Sequence, residues 1–310
     1  MDRIHFSTVV SEKYIFKFMV MYQSLIHHYD NLHVYVLCLD EWSYQILNAL
    51  KYEKSTLLKL EYIEDDDLRA LSTQRMFHEY AWTLKPATLY YVMKNFSEAD
   101  YFAHVDADLC FFSNPIAIFK ENSNAKLFLT IHNYSRSFLS HTDGGVYNTG
   151  FVGCSSKPEA YKAVKWWRKK CIEACPLTID KEKQIYGDQR YVEHWETIFG
   201  DVHIVQSKGA NAAVWNIDDY SLTMRNGELY IGNDKLIFYH FSHFSIYDRK
   251  SFDLTNFHKL SDQVIKCVYE PYMILISQAI KAVHRVCPEF TGGYSPYYRR
   301  SGKHYYELKK

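Results

Sequence analysis

Two aspartates, Asp106 and Asp108, interrupt an otherwise apolar run, Tyr101-Phe-Ala-His-Val-Asp-Ala-Asp-Leu-Cys-Phe-Phe112. In an extended chain, residues two apart project to one side, so both carboxylates are expected to converge on one point. Burying two like charges is costly unless something positive lies between them. Hard divalent cations such as Mg²⁺ or Mn²⁺ take oxygen ligands of this kind. A cation so held could bridge two phosphates and neutralise charge on a departing diphosphate. An acidic strand end facing solvent is the plainer explanation of an Asp-x-Asp pair; the apolar flanks favour the ligating one.

Other residues have chemistry that could join such a site. Lys85, in Trp82-Thr-Leu-Lys-Pro86, is expected at a helix start. There an ammonium could reach a ribose or phosphate at the positive helix end, or simply be solvated. Gly144-Gly-Val-Tyr-Asn148-Thr-Gly150-Phe-Val-Gly153 sets glycines among apolar residues. That suits a backbone brought close to a ligand, and equally a turn ahead of a buried strand. Asp188, in Tyr186-Gly-Asp-Gln189, reads as a ligand or as a first-turn residue favoured by the helix dipole. In Gly209-Ala-Asn211-Ala-Ala-Val-Trp215-Asn216, amides and an indole could hydrogen-bond and stack on a sugar, with packing of Trp215 as the alternative. His240 closes the apolar run Leu236-Ile-Phe-Tyr-His240, where a lone histidine is more often a satisfied core residue than a ligand.

These residues need elements to hold them. Ile4–Val10 is short, apolar and β-branched, and apolar residues recur at helical spacing from Tyr14 to His28. Leu32–Leu39 reads as a second strand, Trp42–Leu50 as a helix and Leu57–Ile63 as extended chain. Such alternation implies a parallel sheet with crossover helices. Helices are expected over Leu68–Phe77 and Leu84–Asn95, the latter with Pro86 in its first turn. One strong strand is expected over Tyr101–Phe112 and another over 127–132. Ser155 or Ser156 is expected to cap a helix starting at Pro158, and Tyr186–Gln189 to open a further one. Asn226-Gly227 marks a hairpin turn within Tyr220–Phe241. Beyond Lys259 a helix to about Val286 leads to a basic end rich in Gly, Pro and Tyr.

Taken in order, these motifs, with Ser113-Asn-Pro115 after the acidic pair, resemble GT-A fold nucleotide-diphosphosugar glycosyltransferases, particularly those similar to glycosyltransferase family 8, over roughly Ile4–Ser245. The resemblance implies an α/β, Rossmann-like, mostly parallel sheet flanked by helices, with a catalytic domain over 1–258 and a C-terminal helical extension and tail over 259–310. It implies transfer of a sugar from an NDP-sugar, a UDP-sugar by preference, to an acceptor hydroxyl. Mn²⁺ or Mg²⁺ would be held by Asp106, Asp108 and His240. Thr8 and Tyr14, in Ser7-Thr-Val-Val-Ser-Glu-Lys-Tyr14, would meet the donor's base. Lys85, Asp106, Asn148, Gly150, Asn211 and Trp215 would line the rest of the donor, with His243 near its diphosphate. Asp188 and Gln189 would face the sugar as catalytic residues, Asp188 as the carboxylate of an inverting enzyme. After His240 the sequence departs from the family's His-x-x-Gly-x-x-Lys-Pro-Trp: His243 stands at the glycine position and Lys-Pro is missing. The family's retention of anomeric configuration is therefore not carried over. The same resemblance implies bacterial surface glycan assembly, of lipopolysaccharide or capsule, with a glycan or lipid-linked glycan acceptor.

Composition narrows the classes further. The 36 basic and 36 acidic residues cancel, so no net field draws the chain to nucleic acid or an anionic membrane, and an anionic ligand needs a local site. The 7 cysteines are odd in number and scattered, which reads as reduced thiols in a cytoplasmic protein. Cys171 and Cys175 have no second pair at zinc spacing. No stretch approaches the roughly 18 to 20 apolar residues of a membrane span, leaving only peripheral contact at the inner face of the membrane. Of the rival classes, a phosphoesterase using His104, Asp106 and Asp108 lacks a Gly-Asn-His second cluster. A nucleotidyltransferase would want a Gly-rich basic loop after the first strand. A noncatalytic carbohydrate-binding module would not require a buried acidic pair.

Overall fold

The computed structural model describes residues 2–296 and 304–309; part of the basic, Tyr-rich tail expected from sequence, at 297–303 and 310, lies outside them. Strand β1 (Ile4–Val10) leads into α1 (Ile15–His28), and β2 (Leu32–Cys38), α2 (Glu41–Leu50) and β3 (Ser55–Lys59) continue the alternation. Helices α3 (Asp66–Gln74) and α4 (Phe77–Asn95) precede β4 (Tyr101–Val105) and β5 (Leu109–Phe111). After α5 (Ile116–Lys120) come β6 (Leu127–Ile131), β7 (Tyr147–Ser155), α6 (Pro158–Glu173), α7 (Trp195–Phe199) and β8 (Val202–Ile204). Strands β9 (Ala212–Ala213), β10 (Leu222–Arg225), β11 (Glu228–Ile231), β12 (Asp234–Lys235) and β13 (Phe238–His240) follow. Finally α8 (Asp262–Val264) runs through a π-helical turn into α9 (Glu270–Val286).

The main sheet has seven strands in the order β3-β2-β1-β4-β7-β6-β8. Only β7 runs against the others, pairing antiparallel with both β4 and β6. Strand order reverses between β1 and β4, so the crevice that open α/β sheets use for ligands lies at the carboxyl ends of these two strands. Alternation along each strand builds a core on either face. Phe6, Val34, Val36, Ala103 and Phe151 point to the side of α1 and α9, while Leu37, Phe102, Leu129 and Val152 point to α4 and α6. The apolar face of α9 packs on α1 and α2 and shares the first of these cores. Among the described residues no helix is long and apolar enough to cross a membrane.

Local structure departs from the sequence expectation where chemistry concentrates. Tyr101–Phe112 is not one strand: β4 stops at Val105, Asp106–Asp108 forms a turn, and β5 joins a separate three-stranded sheet with β13 and β9. Convergence of the two carboxylates therefore comes from a turn, not from the pleat. Helix α4 begins at Phe77, well before Leu84, because the Glu79 carboxylate accepts from the amides of Met76 at 3.1 Å and Leu177 at 3.0 Å. Pro86 thus lies inside the helix, without an amide to offer the preceding turn. Lys85 is mid-helix, not at a positive helix end. Neither Ser155 nor Ser156 caps α6; Lys157 holds the cap position without a side-chain bond, and Pro158 is first in the helix as expected. Asp188 and Gln189 precede a 3₁₀ segment, Arg190–His194, that runs without a break into α7, so the helical stretch expected from sequence does open directly after them. The Asn226-Gly227 hairpin forms between β10 and β11, both turn residues having positive φ.

Candidate active site

The sheet's carboxyl edge gathers residues from six segments. Asp106 and Asp108 follow β4, and His240 ends β13, which is paired to β5 with His240 opposite Leu109. That pairing brings the imidazole back over the turn: ligand atoms of Asp106, Asp108 and His240 all lie within 4.8 Å of one another. His240 Nε2 is 3.2 Å from Asp108 Oδ1 and 3.9 Å from Asp106 Oδ2.

Asn148, on β7, sets the orientation of this imidazole. The Gly150 amide donates to Asn148 Oδ1 at 3.0 Å, which assigns the amide oxygen, and His240 Nδ1 lies 3.2 Å from the same oxygen. Nδ1 must then carry a hydrogen, so Nε2 is the nitrogen directed at the two carboxylates. Acceptor facing acceptor at 3.2 Å is repulsive unless a proton or a metal ion lies between. Two carboxylates and one imidazole are a donor set that Mg²⁺ or Mn²⁺ accepts, so the residues fit such an ion. Gly150 has a packing role here: a Cβ would fall 2.6 Å from His240 Cε1. Asn211 and Trp215 stand behind the triad. Asn211 is fully buried with Nδ2 bonded to the Ile131 carbonyl at 3.0 Å, and the Trp215 ring abuts those of His240 and His132.

On the other flank, Lys85 Nζ bonds Asp106 at 2.8 Å and lies 3.8 Å from Asp188 Oδ2. Its mid-helix position on α4 sets that ammonium between the two carboxylates. Burial opposes charge on Asp106, but Lys85, His104 and His240 outweigh it and hold the carboxyl well below its usual range. Asp108 is lowered likewise, burial being overcome by His240 and Lys17. Asp188 goes the other way: burial pushes it up, against the pull of Lys85. The two carboxyls on either side of Lys85 are thus pushed in opposite directions by their surroundings. Gln189 lies against the Gly144-Gly145 turn, its Nε2 2.8 Å from where a Gly144 Cβ would sit.

The remaining candidates are placed less centrally. Thr8 lies within β1, buried, its hydroxyl without a hydrogen-bond partner. Tyr14 sits at the start of α1 with Lys17 Nζ 4.9 Å from its ring centroid. His243 has φ 61° and lies exposed on the rim, its ring against that of Phe257. Two residues had no part in the glycosyltransferase site expected from sequence. His104 links β1 to the triad, with Nδ1 3.4 Å from Ser7 Oγ and Nε2 3.3 Å from Asp106 Oδ1. Lys17, 4.0 Å from Asp108 Oδ2, is the other. A charge amid the apolar residues that open α1, and a histidine inside an apolar strand, were the available signals.

No family model matches the chain. The uncharacterized protein YfnD of Bacillus subtilis (strain 168) is 44% identical over 310 residues, covering 99% of this chain and 100% of YfnD. YfnF of the same organism, also uncharacterized, is 25% identical over 295 residues, covering 93% of this chain and 96% of YfnF. Among solved structures, the galactosyltransferase LgtC, in complex with donor and acceptor sugar analogs, superposes with a TM-score of 0.55 at 10% identity, over 88% of this chain and 95% of LgtC. An active-site mutant of LgtC gives 0.53 over the same shares. Likeness at this identity is a likeness of fold: the mostly parallel sheet with its flanking helices is the GT-A glycosyltransferase fold.

Proposed function

The chain belongs to the family of YfnD, and from the site its GT-A fold builds we propose that it is a divalent-metal-dependent glycosyltransferase similar to those of family 8, moving a sugar from a UDP-sugar to an acceptor hydroxyl. One observation carries this reading: Asp106, Asp108 and His240 converge at the switch point of the sheet, beside the buried Lys85–Asp188 pair. A diphosphate needs a cation at the first, and a sugar hydroxyl needs charged hydrogen-bonding partners at the second. That LgtC was solved with donor and acceptor sugar analogs supports a two-substrate site in this fold. The acceptor is proposed to be a glycan in surface polysaccharide assembly.

In the reaction, the bond from the sugar's anomeric carbon to the diphosphate oxygen breaks and a bond to the acceptor oxygen forms. The acceptor's proton and the nucleoside diphosphate are released. Mn²⁺ or Mg²⁺, held by Asp106, Asp108 and His240, would supply Lewis-acid stabilisation of the departing diphosphate. The chain's own residues prepare the rest. Lys85 keeps Asp106 ionised and faces Asp188 toward the sugar, and Asn148 fixes the tautomer of His240. Asp188, raised by burial, is the carboxyl suited to take a proton if the enzyme inverts. Thr8 and Tyr14 are assigned to the base, and Gln189 and Gly150 to the sugar.

A panel of UDP-, GDP- and dTDP-sugars, assayed for donor hydrolysis with and without Mn²⁺, tests the proposal. Metal-dependent turnover of at least one donor is expected, with Asp108→Ala losing it. No metal-dependent turnover or binding across the panel, or full activity in Asp108→Ala, would sink the assignment.

A further inference from the structure

The carboxylates Asp106, Asp108 and Asp188 face two lysines that are held very differently. Lys85 is committed, bonded to Asp106 at 2.8 and 3.0 Å. Lys17 is not: its charged partner, Asp108 Oδ2, is 4.0 Å away, beyond hydrogen-bond distance, and Asp108 already faces His240 through its other oxygen.

Stability alone would not place a cation there. Lys17 is 8% exposed and set between Phe16 and Phe18. It also lies in the first turn of the 14-residue α1, where the helix dipole is positive and favours anions. Burial and dipole both oppose its charge, so an apolar residue would serve the fold better. A buried lysine kept under such conditions, without a full partner, is arranged to meet an anion that the folded chain does not itself provide.

We propose that Lys17 binds the diphosphate of the nucleotide donor, between the base and the metal ligands. This rests on the glycosyltransferase reading above. Position supports it: the ammonium lies over the Tyr14 ring on one side, at 4.9 Å from its centroid, and against Asp108 on the other. A nucleotide with its base at Tyr14 and its phosphates at Asp106, Asp108 and His240 must pass this group. Lys85, on the opposite flank beside Asp188, is left to the sugar.

Lys17→Met keeps the length of the side chain and removes its charge; Lys17→Arg restores charge, and Lys17→Gln is the second neutral variant should the first not fold. Titration calorimetry of the full chain with saturating Mg²⁺ uses UDP, GDP, dTDP and inorganic pyrophosphate as probes. Mn²⁺ affinity without nucleotide is read separately by electron paramagnetic resonance. The neutral variants should bind pyrophosphate and the preferred nucleoside diphosphate about 10- to 100-fold more weakly, with Lys17→Arg within about threefold of wild type. Their Mn²⁺ affinity should be unchanged or tighter, because a positive charge beside Asp108 has gone. Diphosphate affinity equal to wild type in the neutral variants overturns the proposal. So does a loss of Mn²⁺ affinity that accounts for the whole diphosphate loss, which would make Lys17 a prop for Asp108. A wild type that binds none of the four probes instead defeats the glycosyltransferase reading itself, and this inference with it.

Discussion

Asp106 is the most heavily supported side chain in the site: Lys85 and His104 both bond it, and the backbone amide of the same residue donates to the Gly150 carbonyl at 2.9 Å. His104 is a positioning residue, because it reaches the reacting centre only through Asp106. Its Nε2 sits 3.3 Å from Asp106 Oδ1, and burial lowers its pKa even though Asp106 pulls it up, so it acts as a neutral donor braced by Ser7. Replacing it with leucine should weaken Mn²⁺ binding by about tenfold or more, the usual cost of losing an outer-shell partner of a ligating group. Glutamine, which can still donate, should recover most of that. A metal titration in which His104→Leu matches wild type would remove this role. The residue types here were readable from sequence, but their pairing was not: Lys85 and Asp106 are 21 positions apart and meet only because α4 packs beside β1 and β4.

At the scale of elements, caps and turns set where side chains are aimed. Asp40 caps α2 through the Ser43 amide at 2.7 Å and with its other oxygen holds the Glu12 amide at 2.8 Å, tying the loop after β1 to the next crossover. Asp65 caps α3 through the Leu68 amide and pairs with Arg168 of α6. Partial burial raises the Asp65 carboxyl, yet that amide and Arg168 prevail and its pKa is lowered. A depressed carboxylate contributes stability above its unfolded value, near 4, and loses it as pH falls through the folded value. Asp65→Ala should therefore cost ~1 kcal/mol near neutral pH, the typical value of an N-cap. Thermal unfolding of both proteins from pH 7 to pH 2 should show the gap closing at the acid end; a gap independent of pH would exclude an ionised cap. Helix periodicity was legible in sequence, whereas the start of α4 was misplaced, because the bonds that extend it come from Glu79 to a distant loop as well as to its own first turn.

Across the whole molecule, two cores flank one sheet, and the C-terminal helix belongs to the core beneath the site. Tyr272, Met273, Ile276, Ile280 and Val283 are buried in the same cluster as α1, which carries Lys17 at its start. Ile276→Ala should destabilise by about 2–5 kcal/mol, the range for emptying a fully buried aliphatic site. Denaturant unfolding measures this, and a loss under about 1 kcal/mol would show that α9 is not integral to that core. From sequence alone came the α/β alternation, the acidic pair, the hairpin at Asn226-Gly227 and the roster of candidate side chains. Each follows from local spacing, propensity or composition, which act over a few residues. Only the tertiary structure decided that Asp106 and Asp108 converge through a turn, that His240 turns its Nε2 toward them under the hold of Asn148, and that Lys17 lies buried beside Asp108. Those outcomes depend on strand order and on the packing of α1, α4 and β13 around the sheet edge, contacts between residues far apart in the chain that no local pattern encodes.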